Sequence, residues 1–149
     1  RHLLIAGGIY DATYYNERIM PLLERFSERV TYLGQLEHTQ LWQLMGQACG
    51  LLFPIEWDEP FGLVAIEAMA AGTPVIAFQR GAAEEIIRTG ETGFLVEAGN
   101  CEQAAAQVDK LMSLSRAHCR AYVEQYFSFE HMLDEHERLY TSTRQKIER

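Results

Sequence analysis

The sequence predicts an α/β domain, a Rossmann-like parallel sheet flanked by helices, with a helical carboxy-terminal cap. Two observations lead to this fold class. Short apolar runs alternate with longer segments of helical periodicity up to Val96, and only helical segments follow. Strands of a parallel sheet are apolar at successive positions and are joined by crossover helices, so this alternation is typical of such a sheet.

Five apolar runs are the predicted strands. Strict alternation of apolar and polar residues is absent from them, so we expect each strand to be buried on both faces. The runs are Leu3 to Ala6, Val30 to Leu33, Leu51 to Phe53, Pro74 to Phe78 and Phe94 to Val96.

Amphipathic segments separate and follow these strands. Apolar stripes at helical spacing predict crossover helices from Tyr15 to Phe26 and from Leu41 to Ala48. After the last strand we expect three helical segments to form the cap. They are Glu102 to Met112, Arg116 to Gln125 and Phe129 to Tyr140.

The composition excludes several classes of protein. With 21 acidic and 13 basic residues the formal charge is −8, which lacks the basic footprint of a nucleic-acid binder. Cys49, Cys101 and Cys119 are odd in number and far apart, which argues against disulfides and a structural zinc site. No apolar run approaches the roughly 20 residues of a membrane span. We therefore expect a cytoplasmic protein, with a peripheral position at a membrane left open.

The most informative segment runs from Pro54 to Pro74, between two predicted strands. An acidic loop at the carboxyl end of the first strand leads into a helix that starts near Phe61 and Gly62 and stops at Gly72. Open α/β sheets bind ligands at this end of their strands. Free backbone N–H groups in the first turn, with no side chain on Gly62, suit a phosphate or diphosphate.

Glu67 is the only polar residue between Phe61 and Ala71, so we expect a helix buried nearly all round with one carboxylate inside it. An unpaired buried carboxylate is costly. Glu67 therefore has protein partners, is protonated, or faces a cleft where a ligand supplies donors. It lies about 7.5 Å along the helix axis from Gly62, within reach of the ribose of a nucleotide whose diphosphate binds at the helix start.

Glu56, Asp58 and Glu59 raise a separate question, because three carboxylates near an anion site would repel a diphosphate. No Lys or Arg is close to them in the sequence. Three interpretations stay open: a Mg²⁺ or Mn²⁺ site, solvated acids favoured by the positive end of the helix, or a carboxylate that acts on the reacting group. Trp57, in the same loop, either stacks on a sugar or packs within the protein.

The block from Glu59 to Glu67, Glu-Pro-Phe-Gly-Leu-Val-Ala-Ile-Glu, resembles the signature of the retaining glycosyltransferases of family 4, and the resemblance extends through 68–77. Further matching segments are 30–34, 80–87, 90–96 and 127–129. Glu84 departs from the family, where Pro is common at its position. The resemblance covers nearly the whole chain and implies the carboxy-terminal, nucleotide-sugar-binding domain of a GT-B enzyme.

The resemblance implies transfer of a sugar from a nucleoside diphosphate donor to an unknown acceptor, with retention of configuration and without an obligatory metal or other cofactor. UDP-glucose is the first candidate donor and GDP-mannose the second. We expect residues 1–149 to form a single donor-binding domain, a fragment that lacks its first strand and loop and an amino-terminal acceptor domain. The Arg and Lys that neutralise the diphosphate in the family have no counterpart in this chain, so we expect the fragment alone to bind donor weakly and to be inactive.

The family also implies roles for particular residues. Glu59 is the candidate catalytic residue, at the transferred sugar, and Glu67 would bind the ribose hydroxyls. Backbone amides of Phe61, Gly62 and Leu63 would approach the diphosphate and sugar, and backbone from Gly34 to Leu36 would contact the base.

Two other functions remain as alternatives. A degenerate domain of this kind would bind a nucleotide sugar or a partner without catalysis. The segment from Gly81 to Glu85 resembles the acidic loop of nucleotide-sugar 2-epimerases, so isomerisation is a further, weaker alternative.

Overall fold

The computed structural model describes residues 1–147 and confirms the α/β class, with parallel sheets, flanking helices and a helical carboxy-terminal cap. The chain forms two compact units, Arg1–Gln43 and a second that begins at Leu44. All five predicted strands are present. In the part of the chain that the structure describes, no helix is long and apolar enough to cross a bilayer.

The first unit contains a two-stranded parallel sheet of β1, Leu3–Ala6, and β2, Val30–Gly34. The predicted crossover helix between them is present but divided into α1, Ala12–Tyr14, a π-helical turn, Tyr15–Ile19, and α2, Met20–Arg25. Pro21 has no N–H to donate, so a continuous α-helix would lose a hydrogen bond there. The residues before Pro21 instead form a π-helical turn, in which each hydrogen bond spans one residue more than in an α-helix. Apolar periodicity does not predict this turn.

The second unit contains a three-stranded parallel sheet in the order β3-β4-β5. All four residues of β4 are buried, because this strand has a neighbour on each side and is contacted by helices. The expectation of burial on both faces is wrong for β1, β2 and β3, whose Leu3, Leu33 and Leu52 are exposed. The strands of this sheet are Leu51–Phe53, Val75–Phe78 and Gly93–Val96.

Helices account for most of the remaining chain. The predicted helix over 102–112 is a shorter α-helix followed by a 3-10 turn, Lys110–Ser113. Helix α5 has only four residues, too few for a periodic pattern, and was not predicted. The α-helices are α3, His38–Gln47, α4, Leu63–Ala70, α5, Ala83–Ile86, α6, Cys101–Gln107, α7, Arg116–Tyr126, and α8, Phe129–Ile147.

Two sets of buried residues stabilise the second unit. Ile76, Phe78, Val96 and Leu111 form one cluster. Elsewhere α4 packs against α7, and Met69 is fully buried. Each such side chain contributes roughly 1.5–3 kcal/mol when it leaves water. This packing makes α4 a fixed element of the unit.

A polar brace connects the start of α7 to the end of α3. The Arg116 guanidinium donates to the carbonyl oxygens of Gly46, at 2.6 Å, and Ala48, at 2.7 Å, and to Oγ1 of Thr73, at 2.9 Å. The hydroxyl of Thr73, which is fully buried, donates to the carbonyl of Met45. Helix-end carbonyls lack partners within the helix, so this cation satisfies groups that would otherwise be unpaired.

Candidate functional site

The candidate site lies where the chain leaves the carboxyl end of β3 and enters α4. Gly62 is the residue before the helix and has a left-handed backbone, with φ of +76°. A Cβ at this position would lie 3.1 Å from Cδ1 of Ile86. Glycine is therefore favoured both by the backbone conformation and by the close neighbour.

The carboxylate of Glu59 accepts two hydrogen bonds at the start of α4. Its Oε1 accepts the backbone N–H of Gly62 at 3.2 Å, and its Oε2 accepts the indole N–H of Trp57 at 3.0 Å. The hydrogen bond from Trp57 is the main cause that lowers the pKa of Glu59, with a further contribution from the N–H of Gly62 that outweighs the opposing effect of desolvation. Both donors favour the ionised form. The start of the helix therefore holds a fixed negative charge at neutral pH.

Glu59 interacts with two of the three backbone amides that the family resemblance assigns to the diphosphate and sugar. The N–H of Gly62 points to Glu59, whereas the N–H of Leu63 has no hydrogen-bond acceptor among residues 1–147. The N–H of Phe61 also faces Glu59 and helps to lower its pKa. A helix start attracts anions, and here an acidic side chain of the protein itself is the anion.

A cationic side chain from a distant part of the sequence lies beside the acidic loop. Nε of Arg80 lies 3.0 Å from Oδ1 of Asp58, and both side chains are exposed. Within the described residues, no group of three or more His, Cys, Asp or Glu side chains could hold a metal ion. The pairing of Asp58 with Arg80 reduces the excess negative charge of the loop. An exposed pair of this kind is worth about 0–1 kcal/mol.

Glu67 lies further along α4, in a half-buried position between the buried residues Ile66 and Ala68. Across the described part of the chain, its carboxylate has no hydrogen bond or ion pair. Residues 1–147 therefore supply no partner for this acid. A carboxylate at such a position is available to a ligand that brings its own donors.

The expectation of a helix buried nearly all round is also wrong. The side chains of Phe61, Leu63 and Val64 are 50%, 61% and 41% exposed. These residues flank the helix start, and the buried ones face α7 and the sheet. The ionised Glu59 therefore sits beside an apolar surface that is open to solvent.

Gly34 and Leu36 belong to the other unit. Gly34 ends β2 with φ of +69°, has open space where a Cβ would be, and its carbonyl accepts the N–H of Gly7 at 2.9 Å. Leu36 is half-buried in the loop that follows. The structure brings together Glu59, Phe61, Gly62 and Leu63 at the start of α4 and places Glu67 further along that helix. Gly34 and Leu36 lie in the first unit, Arg1–Gln43.

Two contacts of the acidic loop are not predicted from the sequence. The sequence leaves stacking and packing open for Trp57. In the structure its indole N–H donates to Glu59, and 61% of the residue remains exposed. Arg80 follows Asp58 by 22 residues, so no local pattern connects them. The short separation of Trp57 and Glu59 is the only signal that could have indicated the first contact.

Comparison with families of known proteins gives a match over most of the chain. The model of "Glycosyl transferases group 1" matches residues 1–126. Over 89 residues the chain is 40% identical to phosphatidyl-myo-inositol mannosyltransferase of Mycobacterium leprae, which covers 60% of this chain and 23% of that protein. Over 88 residues it is 42% identical to D-inositol 3-phosphate glycosyltransferase of Mycobacterium tuberculosis, with coverage of 59% and 18%. The aligned part is thus a minor fraction of each relative.

Solved structures share this fold over 95% of the chain. HepE of Anabaena in complex with UDP has a TM-score of 0.82 at 23% identity, and the match covers 41% of its chain. Sucrose-phosphate synthase of Thermosynechococcus elongatus has a TM-score of 0.78 at 32% identity, and the match covers 38% of its chain. The architecture described above is therefore one that larger proteins contain as a part.

Proposed function

Because the chain belongs to the group 1 glycosyl transferases, we propose that it binds a nucleoside diphosphate sugar for retaining transfer of a hexose to an acceptor. The observation that carries this proposal is a pair of carboxylates, one in the loop that leads into α4 and one within α4. Glu59 is held ionised at the start of α4, and Glu67 has no partner among residues 1–147. A fixed charge in the loop before α4 and an unpartnered acceptor on α4 suit the transferred sugar and the ribose of a nucleotide sugar.

Each carboxylate has a separate part in the proposal. Glu67 accepts hydrogen bonds from the ribose hydroxyls of the donor, which replace the protein partners that it lacks. Glu59 accepts hydrogen bonds from the transferred sugar and stabilises the positive charge that develops at its anomeric carbon. Because Glu59 is already oriented by Trp57 and Gly62, little reorganisation is needed as that charge forms.

In this proposal the diphosphate lies nearest to the backbone N–H groups at the amino end of α4. The free N–H of Leu63 is available to an oxygen of the diphosphate or sugar, together with the partial positive charge of the helix start. The backbone at Gly34 and Leu36 contacts the base.

The proposed reaction has no obligatory metal ion. The 1–149 segment acts with an acceptor domain elsewhere in the protein, and alone it is inactive.

The choice of donors to test first comes from the relatives. HepE, which shares the fold, has been crystallised with UDP and with UDP-glucose, so uridine nucleotides are the first probes. The relative from Mycobacterium leprae is a mannosyltransferase, which makes GDP-mannose the second. The acceptor is a sugar, a lipid or a small molecule.

Calorimetric titration of the full-length protein tests the proposal. UDP, GDP, UDP-glucose and GDP-mannose are titrated with and without Mg²⁺, and the 149-residue fragment is compared. Metal-independent binding of one nucleotide series, much weaker in the fragment, is the expected result. Absence of binding by the full-length protein would favour a non-catalytic module, and conversion of the nucleotide sugar without any acceptor would favour an epimerase.

A further inference from the structure

The turn that follows β4 is packed directly against the backbone of Glu59. Gly81, in this turn, has φ of +53°, and a Cβ built on it would lie 2.7 Å from both the backbone N and the backbone O of Glu59. The same Cβ would lie 3.1 Å from the carbonyl carbon of Asp58. These neighbours are backbone atoms, which cannot rotate away as the end of a side chain can. Any side chain at position 81 must therefore displace the loop that carries Glu59.

The residues on either side of Gly81 also bind this loop. The backbone N–H of Ala82 donates to the carbonyl oxygen of Glu59 at 2.9 Å. Arg80 forms its ion pair with Asp58 at 3.0 Å. Three consecutive residues of one turn thus contact two consecutive residues of the acidic loop, through a hydrogen bond, an ion pair and close backbone packing.

A second glycine separates close packing from backbone conformation. Gly90 also has a left-handed backbone, with φ of +84°, but nothing lies within 4 Å of a Cβ built on it. Both residues would incur strain on substitution by Ala, since side chains disfavour this conformation. Only Gly81 would in addition push against Glu59. Gly90 is therefore a matched control for the effect of packing.

We propose that Gly81 is a positioning residue for Glu59, and that the turn of residues 80–82 sets where the Glu59 carboxylate stands relative to the transferred sugar. This inference rests on the proposed function. Gly81 contacts no reacting group itself and acts only through Glu59. A side chain at 81 shifts the loop, weakens the hydrogen bonds from Trp57 and Gly62, and moves the carboxylate from its productive position.

The kinetic test compares Gly81→Ala with Gly90→Ala in the full-length protein. Misplacement of a reacting group by about 1 Å can cost on the order of a hundred-fold in rate, so Gly81→Ala should lower kcat by about ten- to a hundred-fold. The dissociation constant of UDP should stay close to that of the parent, because UDP does not contain the transferred sugar. Gly90→Ala should leave both quantities close to the parent. Equal kcat in the two variants would overturn the inference.

Two milder variants keep the test decisive if Gly81→Ala fails to fold. Arg80→Gln and Asp58→Asn each break only the exposed ion pair, and each should lower kcat by about two- to five-fold. Because both remove the same contact, the double variant should be no slower than either single variant. Parental kcat in all three would overturn the inference.

A measurement that needs no activity separates this inference from the proposed function. The indole N–H resonance of Trp57 reports its hydrogen bond to Glu59, and Trp57→Phe identifies that resonance by its loss. Gly81→Ala should shift it, and Gly90→Ala should not. If the parent neither binds UDP nor transfers sugar, the proposed function fails, while the resonance still decides whether Gly81 positions Glu59. An unmoved resonance in folded Gly81→Ala would contradict the inference.

Discussion

The indole N–H of Trp57 donates to Oε2 of Glu59 at 3.0 Å, and this bond is the main cause of the lowered pKa of that carboxyl group. The two residues are separated by a single position in the acidic loop. A donor so close in the chain costs little entropy to hold in place. The pair therefore fixes both the charge and the direction of Glu59 before any ligand binds.

Trp57→Phe should shift the pH dependence of transfer. The phenylalanine ring has no N–H, so the ionised form of Glu59 loses its strongest donor and its pKa rises. Because the proposed chemistry needs the ionised carboxylate, the acid limb of the kcat profile should move to higher pH. The measurement is kcat against pH for the parent and the variant.

Trp42→Phe is the control for Trp57→Phe. Trp42 is the other of the two tryptophans, and it contacts His38. Its replacement should leave the acid limb where the parent has it. An acid limb that stays unchanged in Trp57→Phe would show that this hydrogen bond does not control the titration of the active form.

Glu59→Gln should reduce turnover far more than nucleotide affinity. The amide keeps the shape of the side chain but removes the negative charge that we propose stabilises the transferred sugar. Loss of one such electrostatic group costs about a hundred- to a thousand-fold in kcat. The affinity for UDP should change little, because UDP lacks the transferred sugar. Steady-state kinetics and calorimetry measure the two quantities. Glu56→Gln, in the same loop, is the control, and parental kcat in Glu59→Gln would exclude Glu59 from the mechanism.

Glu67→Gln should weaken nucleotide binding and leave the fold intact. Hydrogen bonds to charged groups contribute about 1.5–3 kcal/mol, so the dissociation constant of UDP should rise by roughly ten- to a hundred-fold. The fold should survive because the carboxylate has no partner in the described part of the chain. Calorimetry and a thermal melt test the two statements. Glu84→Gln, an exposed acid in α5, should change neither, and unaltered UDP affinity in Glu67→Gln would rule out the ribose contact.

Thr73→Val should destabilise the protein. Thr73 is fully buried, donates to Met45 and accepts from Arg116. Valine has nearly the same shape but leaves both partners without this contact, which should lower the free energy of unfolding by about 1–3 kcal/mol. Chemical denaturation measures the loss. Thr39→Val, at an exposed position of α3, should cost less, and equal losses would mean that the buried hydroxyl has no special role.

The sequence by itself determined the order of the strands and of most helices, and it determined the loop and the helix that carry Glu59 and Glu67. These features are local: apolar runs and helical stripes report which segments are buried, and Gly62 and Gly72 bound α4 at either end. The signature from Glu59 to Glu67 lies within one such segment. Its residues could therefore be identified, and the distance of Glu67 from Gly62 along the helix estimated, without any tertiary information.

Only the tertiary structure decided what surrounds those carboxylates. Strands β3 and β4 are parallel neighbours, with Phe53 opposite Ala77, so the loops that follow them leave the sheet at the same edge. That pairing brings Arg80 to Asp58 and Gly81 against the backbone of Glu59, contacts that span about twenty residues of chain. Such contacts depend on strand register and loop path, which leave no periodic trace in the sequence, because each residue meets its partner only after the sheet has formed.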